Sequence, residues 1–94
     1  MSSQETSVDV RQALRVFDKI QRFGQQRENE KQLFGVFAST DFDGYTVTLR
    51  DANVRLDVLF HNRFNIDYKN KHFVREFLSS LAKIDHAELA KESL

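Results

Sequence analysis

The stretch "TDFDGYTVTL", residues 40–49, sets Asp41 and Asp43 one residue apart just ahead of Gly44. Carboxylates at that spacing open an EF-hand calcium loop. Such a loop needs acidic or amide side chains at positions 1, 3 and 5, glycine at 6 and glutamate at 12. Counted from Asp41, the glycine arrives at position 4, position 5 is Tyr45 and position 12 is Ala52. The metal geometry fails, whereas Asp-Gly is a pair that tight hairpin turns favour. We read the stretch as a turn.

The other reactive residue types are equally scattered. Of the three histidines, His72 and His86 stand fourteen residues apart, and His61 falls at a bend beside Asp57 and Arg63. None makes a ligand pair on one helix face. Ser39, Ser79 and Ser80 lack the context of a nucleophile elbow. Gly24, Gly35 and Gly44 are too dispersed to cradle a phosphate. Asp57 and Asp67 fall on solvent-facing strand positions, not in a pocket where two acids could divide acid and base roles. With no cysteine there is no thiolate nucleophile or ligand. The expectation is a non-enzyme without cofactor or metal.

Two groupings remain. On the first helical segment Arg11, Arg15, Lys19 and Arg22 fall within about a quarter turn of one another at roughly 100° per residue. They form either the solvated face of an amphipathic helix or a ridge for phosphates and acids. Leu33, Phe37 and Leu59 break the polar parity of their strands and would place an apolar cluster on the outer sheet face, beside Arg50 and Arg55. An exposed apolar cluster marks a contact surface. The alternative is that the chain folds over it.

The elements that hold these residues follow from periodicity. "SVDVRQALRVFDKIQRFG" repeats Val10, Ala13, Leu14, Phe17 and Ile20 at helical spacing, predicting a helix over residues 8–23. Thr6 or Ser7 would cap it, Asp9 would sit in its first turn, and Gly24 would end it as a left-handed glycine. "QQRENEK", residues 25–31, reads as a loop or the loose start of a strand. From Gln32 the period becomes two, giving four strands, the first running through Phe34, Val36 and Ala38 to Phe42. "NKHFVREFLSSLAKID" carries a second apolar stripe (Phe73, Val74, Phe77, Leu78, Leu81, Ile84), so a helix is predicted over residues 70–85 with Asn70 as cap.

Register follows by arithmetic, because a one-residue slip flips every side chain. A turn at Asp43-Gly44 pairs Phe42 with Tyr45, Thr40 with Val47 and Ala38 with Leu49. A turn at Ala52-Asn53, or a four-residue loop over 51–54, pairs Leu49 with Leu56, Val47 with Val58 and Tyr45 with Phe60. A bend over residues 61–63 would pair Phe60 with Phe64 and Val58 with Ile66, though Arg63 is a poor occupant of the left-handed position such bends need. The fold class is therefore α+β: helix, four-stranded antiparallel meander, helix, in two layers with both helices on one face of the sheet.

These segments resemble a known family. "FDGYTVTLRDANVRLDVLFHNRFNIDY" followed by a Phe-rich helix ending in "LAKID" looks like a family of short uncharacterised proteins of gammaproteobacteria, a domain of unknown function. The likeness covers residues 10–85 and lies in the D-G-Y-T-V core, the H-N bend and the order of elements. It carries over no activity, cofactor or catalytic residue.

Bulk properties bound the rest. Ninety-four residues make a single domain, with residues 1–6 and 86–94 expected to fray. So short a chain buries only about 60–65% of its unfolded surface, and nine Phe make its core economical. Fourteen basic and fourteen acidic residues cancel, which disfavours non-specific binding to nucleic acid or an anionic membrane. The lack of cysteine and of an apolar leader predicts a cytoplasmic protein. The function expected is a binding module that holds a protein partner, or a second copy of itself, on its outer sheet face. The alternatives are a nucleic-acid binder using Arg50, Arg55 and Phe37, and a small-ligand carrier or enzyme.

Overall fold

The structure is a computed structural model that describes residues 8–41, 44–59 and 63–87. Helix α1 spans Val10–Phe23 and helix α2 spans Lys71–His86. Between them lie six strands: β1 (Gln25–Arg27), β2 (Glu30–Leu33), β3 (Val36–Thr40), β4 (Val47–Arg50), β5 (Val54–Leu59) and β6 (Arg63–Tyr68). They form one antiparallel sheet in the order β1-β2-β3-β4-β5-β6. Two helices on one face of an antiparallel meander is the α+β arrangement expected, with six strands where four were predicted.

The extra strands arise before and within the start of the expected first strand. The polar segment 25–31 folds back on itself, with Gln25, Gln26 and Arg27 opposite Gln32, Lys31 and Glu30. Its turn is made by Glu28 at a φ of 55°. Backbone pairing at a sheet edge needs no apolar alternation, so periodicity did not show it. The predicted continuous strand also breaks at Phe34 and Gly35, with φ values of 53° and 80°. Positive φ at both central residues is the type I′ signature, and it closes a two-residue hairpin with Leu33 opposite Val36. The break reverses the expected parity: Leu33 joins Val36 on the covered face, and Phe34 is left 58% exposed at the tip.

The remaining registers match the arithmetic with one exception. Ala38 pairs with Leu49 and Thr40 with Val47, while Val47 pairs with Val58 and Leu49 with Leu56. Across the last hairpin Val58 faces Phe64 and Leu56 faces Ile66, two residues away from the predicted partners. A shift of two preserves every face, so parity could not choose between the registers. The shift puts Arg63 on the ladder, where no left-handed backbone is asked of it. The expected pairings of Phe42 and Phe60 and the predicted caps Thr6 and Ser7 lie outside the described residues.

The helix ends show why the chain turns where it does. Asp9, expected in the first turn, is the cap itself: its carboxylate accepts the N–H groups of Arg11 and Gln12 at 3.0 and 3.2 Å. Asn70 caps α2 by accepting from the N–H of His72. Gly24 ends α1, but in extended backbone (φ −76°, ψ 167°), not in the left-handed conformation predicted for it. Its N–H still donates to the Ile20 carbonyl, 2.8 Å away. A Cβ at Gly24 would lie 2.5 Å from the Ile20 oxygen and 2.8 Å from the Gln32 oxygen. Glycine is required here because the chain leaves α1 pressed between the helix's own last carbonyls and the β2 backbone.

One core joins the layers. Ala13, Val16 and Ile20 of α1 and Phe77, Leu81 and Ile84 of α2 meet Val36, Ala38, Leu49, Val54, Leu56 and Val58 of the sheet, all buried. Leu33, Phe64, Ile66 and Phe73 pack at its margin. Helix α1 lies over β2, β3 and β4, and α2 over β5 and β6, the two helices touching side by side. Every described helix is thereby on the same side, and the opposite face of the sheet has no described element over it.

Candidate interaction surface

The outer face is ordered by the register. One row crosses all six strands: Gln25, Gln32, Phe37, Arg50, Arg55 and Asp67 lie successively opposite one another. The next row holds Thr48, Asp57 and Asn65. This brings together three of the five residues singled out for the surface. Phe37, Arg50 and Arg55 are neighbours, with the Arg50 guanidinium 4.5 Å above the Phe37 ring centroid. Leu59 stands at the far end of the face opposite Arg63, half-buried, and Leu33 is on the other side of the sheet. The predicted apolar cluster of Leu33, Phe37 and Leu59 therefore does not assemble, because the Phe34–Gly35 turn moved Leu33 inward.

The charges on this face are largely matched. Arg50 donates through Nε to Glu30 at 3.1 Å and through a second nitrogen to the other carboxylate oxygen. This is the bidentate geometry that suits guanidinium and carboxylate. Arg55 pairs with Asp57 at 3.2 Å, and the Thr48 hydroxyl donates to the same Asp57 oxygen at 2.7 Å. Thr48 is only 8% exposed although it points outward, which is why its hydroxyl takes a fixed partner. Gln26, Arg27, Glu28, Glu30, Phe37 and Arg50 line a cavity of about 490 Å³ where β1 and β2 meet this face. Glu30 was missed in the sequence because its segment carried no strand signal.

The basic ridge of α1 has a different fate. Arg15 makes a two-pronged ion pair with Asp85 of α2, both contacts at 2.9 Å. Gln12 donates to the same carboxylate. Lys19 donates to the carbonyls of Ile84, Asp85 and Ala87, satisfying the last turn of α2, whose orphan acceptors attract a cation. Arg22 pairs with Asp18 one turn back. Of the four ridge residues, Arg15 and Lys19 clamp the two helices together, and Arg11 is exposed. The Asp85 side chain is 8% exposed. The Arg15 hydrogen bonds hold its carboxyl well below the ordinary carboxylate range, and Asp85 in turn raises Arg15.

The residues weighed for chemistry are placed apart. The Asp41 carboxylate accepts the N–H groups of Gly44 and Thr46 at 3.0 and 3.3 Å, and the Asp41 carbonyl accepts Gly44 N–H. Asp41 thus organises a turn, with Gly44 at a φ of 80°; Asp43 lies outside the described residues. His72 contacts the Asn70 side chain and the Phe73 ring near the start of α2, while His86 is at the helix end. His61 is outside the described residues. Ser80 donates to the Glu76 carbonyl of its own helix. Among the described residues no group of three His, Cys, Asp or Glu is close enough to hold a metal ion. No described helix is long and apolar enough to cross a membrane.

Over residues 8–91 the sequence matches the family described as "Protein of unknown function (DUF3081)". The chain belongs to this family. No curated protein and no solved structure matches it. Family membership agrees with the resemblance drawn from the D-G-Y-T-V core and the helix ending in "LAKID".

Proposed function

We propose that this member of the family is a non-catalytic interaction module that holds a macromolecular partner on its outer sheet face, in the cytoplasm. The observation that carries the reading is the one-sided roof: α1 and α2 both lie on the inner face, and a row of six side chains crosses the opposite face without a described element above it. Ion pairs at Arg50–Glu30 and Arg55–Asp57 orient the side chains of that surface before any partner arrives, and side chains already oriented lose less entropy on binding. The chemistry fits a polar protein surface. It fits nucleic acid poorly, since both arginines are already paired with acids and the Phe37 ring is covered by a guanidinium, not left free to stack on a base.

Affinity capture tests this when native protein is compared with an outer-face variant, Phe37→Ala/Arg55→Glu, and a helix-face variant, Lys83→Glu. The reading expects a partner retained by native protein and Lys83→Glu and lost by the outer-face variant. A partner lost only by Lys83→Glu would refute it.

A further inference from the structure

We infer that the chain forms a two-fold dimer by pairing β6 with β6 of a second copy. The two edges of the sheet differ. β1 is three residues long and entirely exposed, the short kind of edge that resists pairing. β6 has six residues, an unbroken register against β5 and no proline or bulge to interrupt a further ladder. Lys69 N–H donates to the Asn53 carbonyl across the β5–β6 hairpin. By the alternation of antiparallel pairs, Asp67, Asn65 and Arg63 then turn their amides toward β5, and Phe64, Ile66 and Tyr68 present theirs to the open edge.

The sequence of β6 is complementary to itself in one register. Opposed side chains must share a face, so the two-fold axis passes through a residue, and an axis at Asn65 or Ile66 pairs most of β6. An axis at Asn65 sets Phe64 opposite Ile66 of the second copy, twice, on the inner face, and Arg63 opposite Asp67, twice, on the outer face. The pairs 64–66 are then the hydrogen-bonded ones, matching the amides that point outward. Arg63 and Asp67 are exposed and have no ion pair with another described residue. Opposite charges directly across a ladder favour pairing. An axis at Ile66 sets Arg63 opposite Lys69, a like-charge clash. The product is a twelve-stranded sheet whose outer faces run together, with α2 of each copy flanking the axis. This dimer does not depend on the reading of the outer face.

Light scattering after size exclusion tests the register through charge. Native chain is expected at twice the 11.0 kDa monomer mass at high protein concentration. Asp67→Arg, which sets arginines opposite one another, is expected at monomer mass with an unchanged circular dichroism spectrum. The swap Arg63→Asp/Asp67→Arg is expected to restore the dimer, which a variant that merely fails to fold cannot do. A monomer at every concentration, a dimer indifferent to Asp67→Arg, or open-ended masses from β6 pairing with β1 would each overturn the inference.

Discussion

Replacing Gly24 by Ala would push a Cβ against two backbone oxygens, those of Ile20 in α1 and Gln32 in β2, at 2.5 and 2.8 Å. Neither can rotate away, so relief requires the backbone at Gly24 to draw back from both the last turn of α1 and the β2 strand. Such overpacking costs about 1–3 kcal/mol, offset by about 0.4–1 kcal/mol from the stiffer unfolded chain. The net loss is up to about 2.5 kcal/mol, which for a domain of this size lowers the melting temperature by up to about 10–20 °C. Gly35 is the opposite case: its φ is +80° and a Cβ there meets nothing within 4 Å. Ala at Gly35 loses about 1–2 kcal/mol to the left-handed backbone alone, and Asn, which tolerates that region, loses less. Thermal unfolding followed by circular dichroism separates the two. At Gly35 the Asn variant should be more stable than the Ala variant, and at Gly24 it should not, because both carry the clashing Cβ. A Gly24→Asn protein clearly more stable than Gly24→Ala would show a left-handed cap and refute the close-approach explanation.

The helix clamp gives a pH prediction. The folded Asp85 carboxyl sits below its ordinary value of 3.8, so its contribution is complete above that value and is lost as pH falls through the depressed folded one. Urea midpoints of native protein and Asp85→Asn should therefore converge between about pH 5 and pH 2, and a gap independent of pH would contradict the pairing. Lys19→Met leaves the Ile84, Asp85 and Ala87 carbonyls without their shared donor, a loss of about 1–3 kcal/mol. Hydrogen exchange should quicken in the last turn of α2 before the rest of the helix. Phe77→Ala opens a cavity in the fully buried core and should lower stability by about 3–5 kcal/mol, measured by urea denaturation.

How far each feature could be read in the sequence depended on whether it repeats. Both helices announce themselves because their buried residues recur every three or four positions. The registers of β3–β4 and β4–β5 follow because only one parity buries Ala38, Leu49 and Leu56 together. The β1–β2 ribbon left no such trace, since its backbone bonds ask nothing of the side chains. The turn at Phe34 was hidden because a phenylalanine at positive φ contradicts local preference; from that one residue came the inverted placement of Leu33. At the surface, Arg50 and Arg55 were placed side by side correctly from register alone. Their acidic partners depended on side-chain reach and, for Glu30, on an unseen strand. The α1 basic residues were visible as a stripe, but nothing local could show that Arg15 and Lys19 turn toward the end of a helix some seventy residues away.

Photo-crosslinking in the native cell tests the open outer face most directly. A photoreactive residue placed at Phe37 or Arg55 should give adducts with a protein other than this chain, and one placed at Arg75 or Lys83, on the solvent side of α2, should give no such adducts. Adducts confined to the α2 positions would contradict the assignment of the binding surface to the sheet.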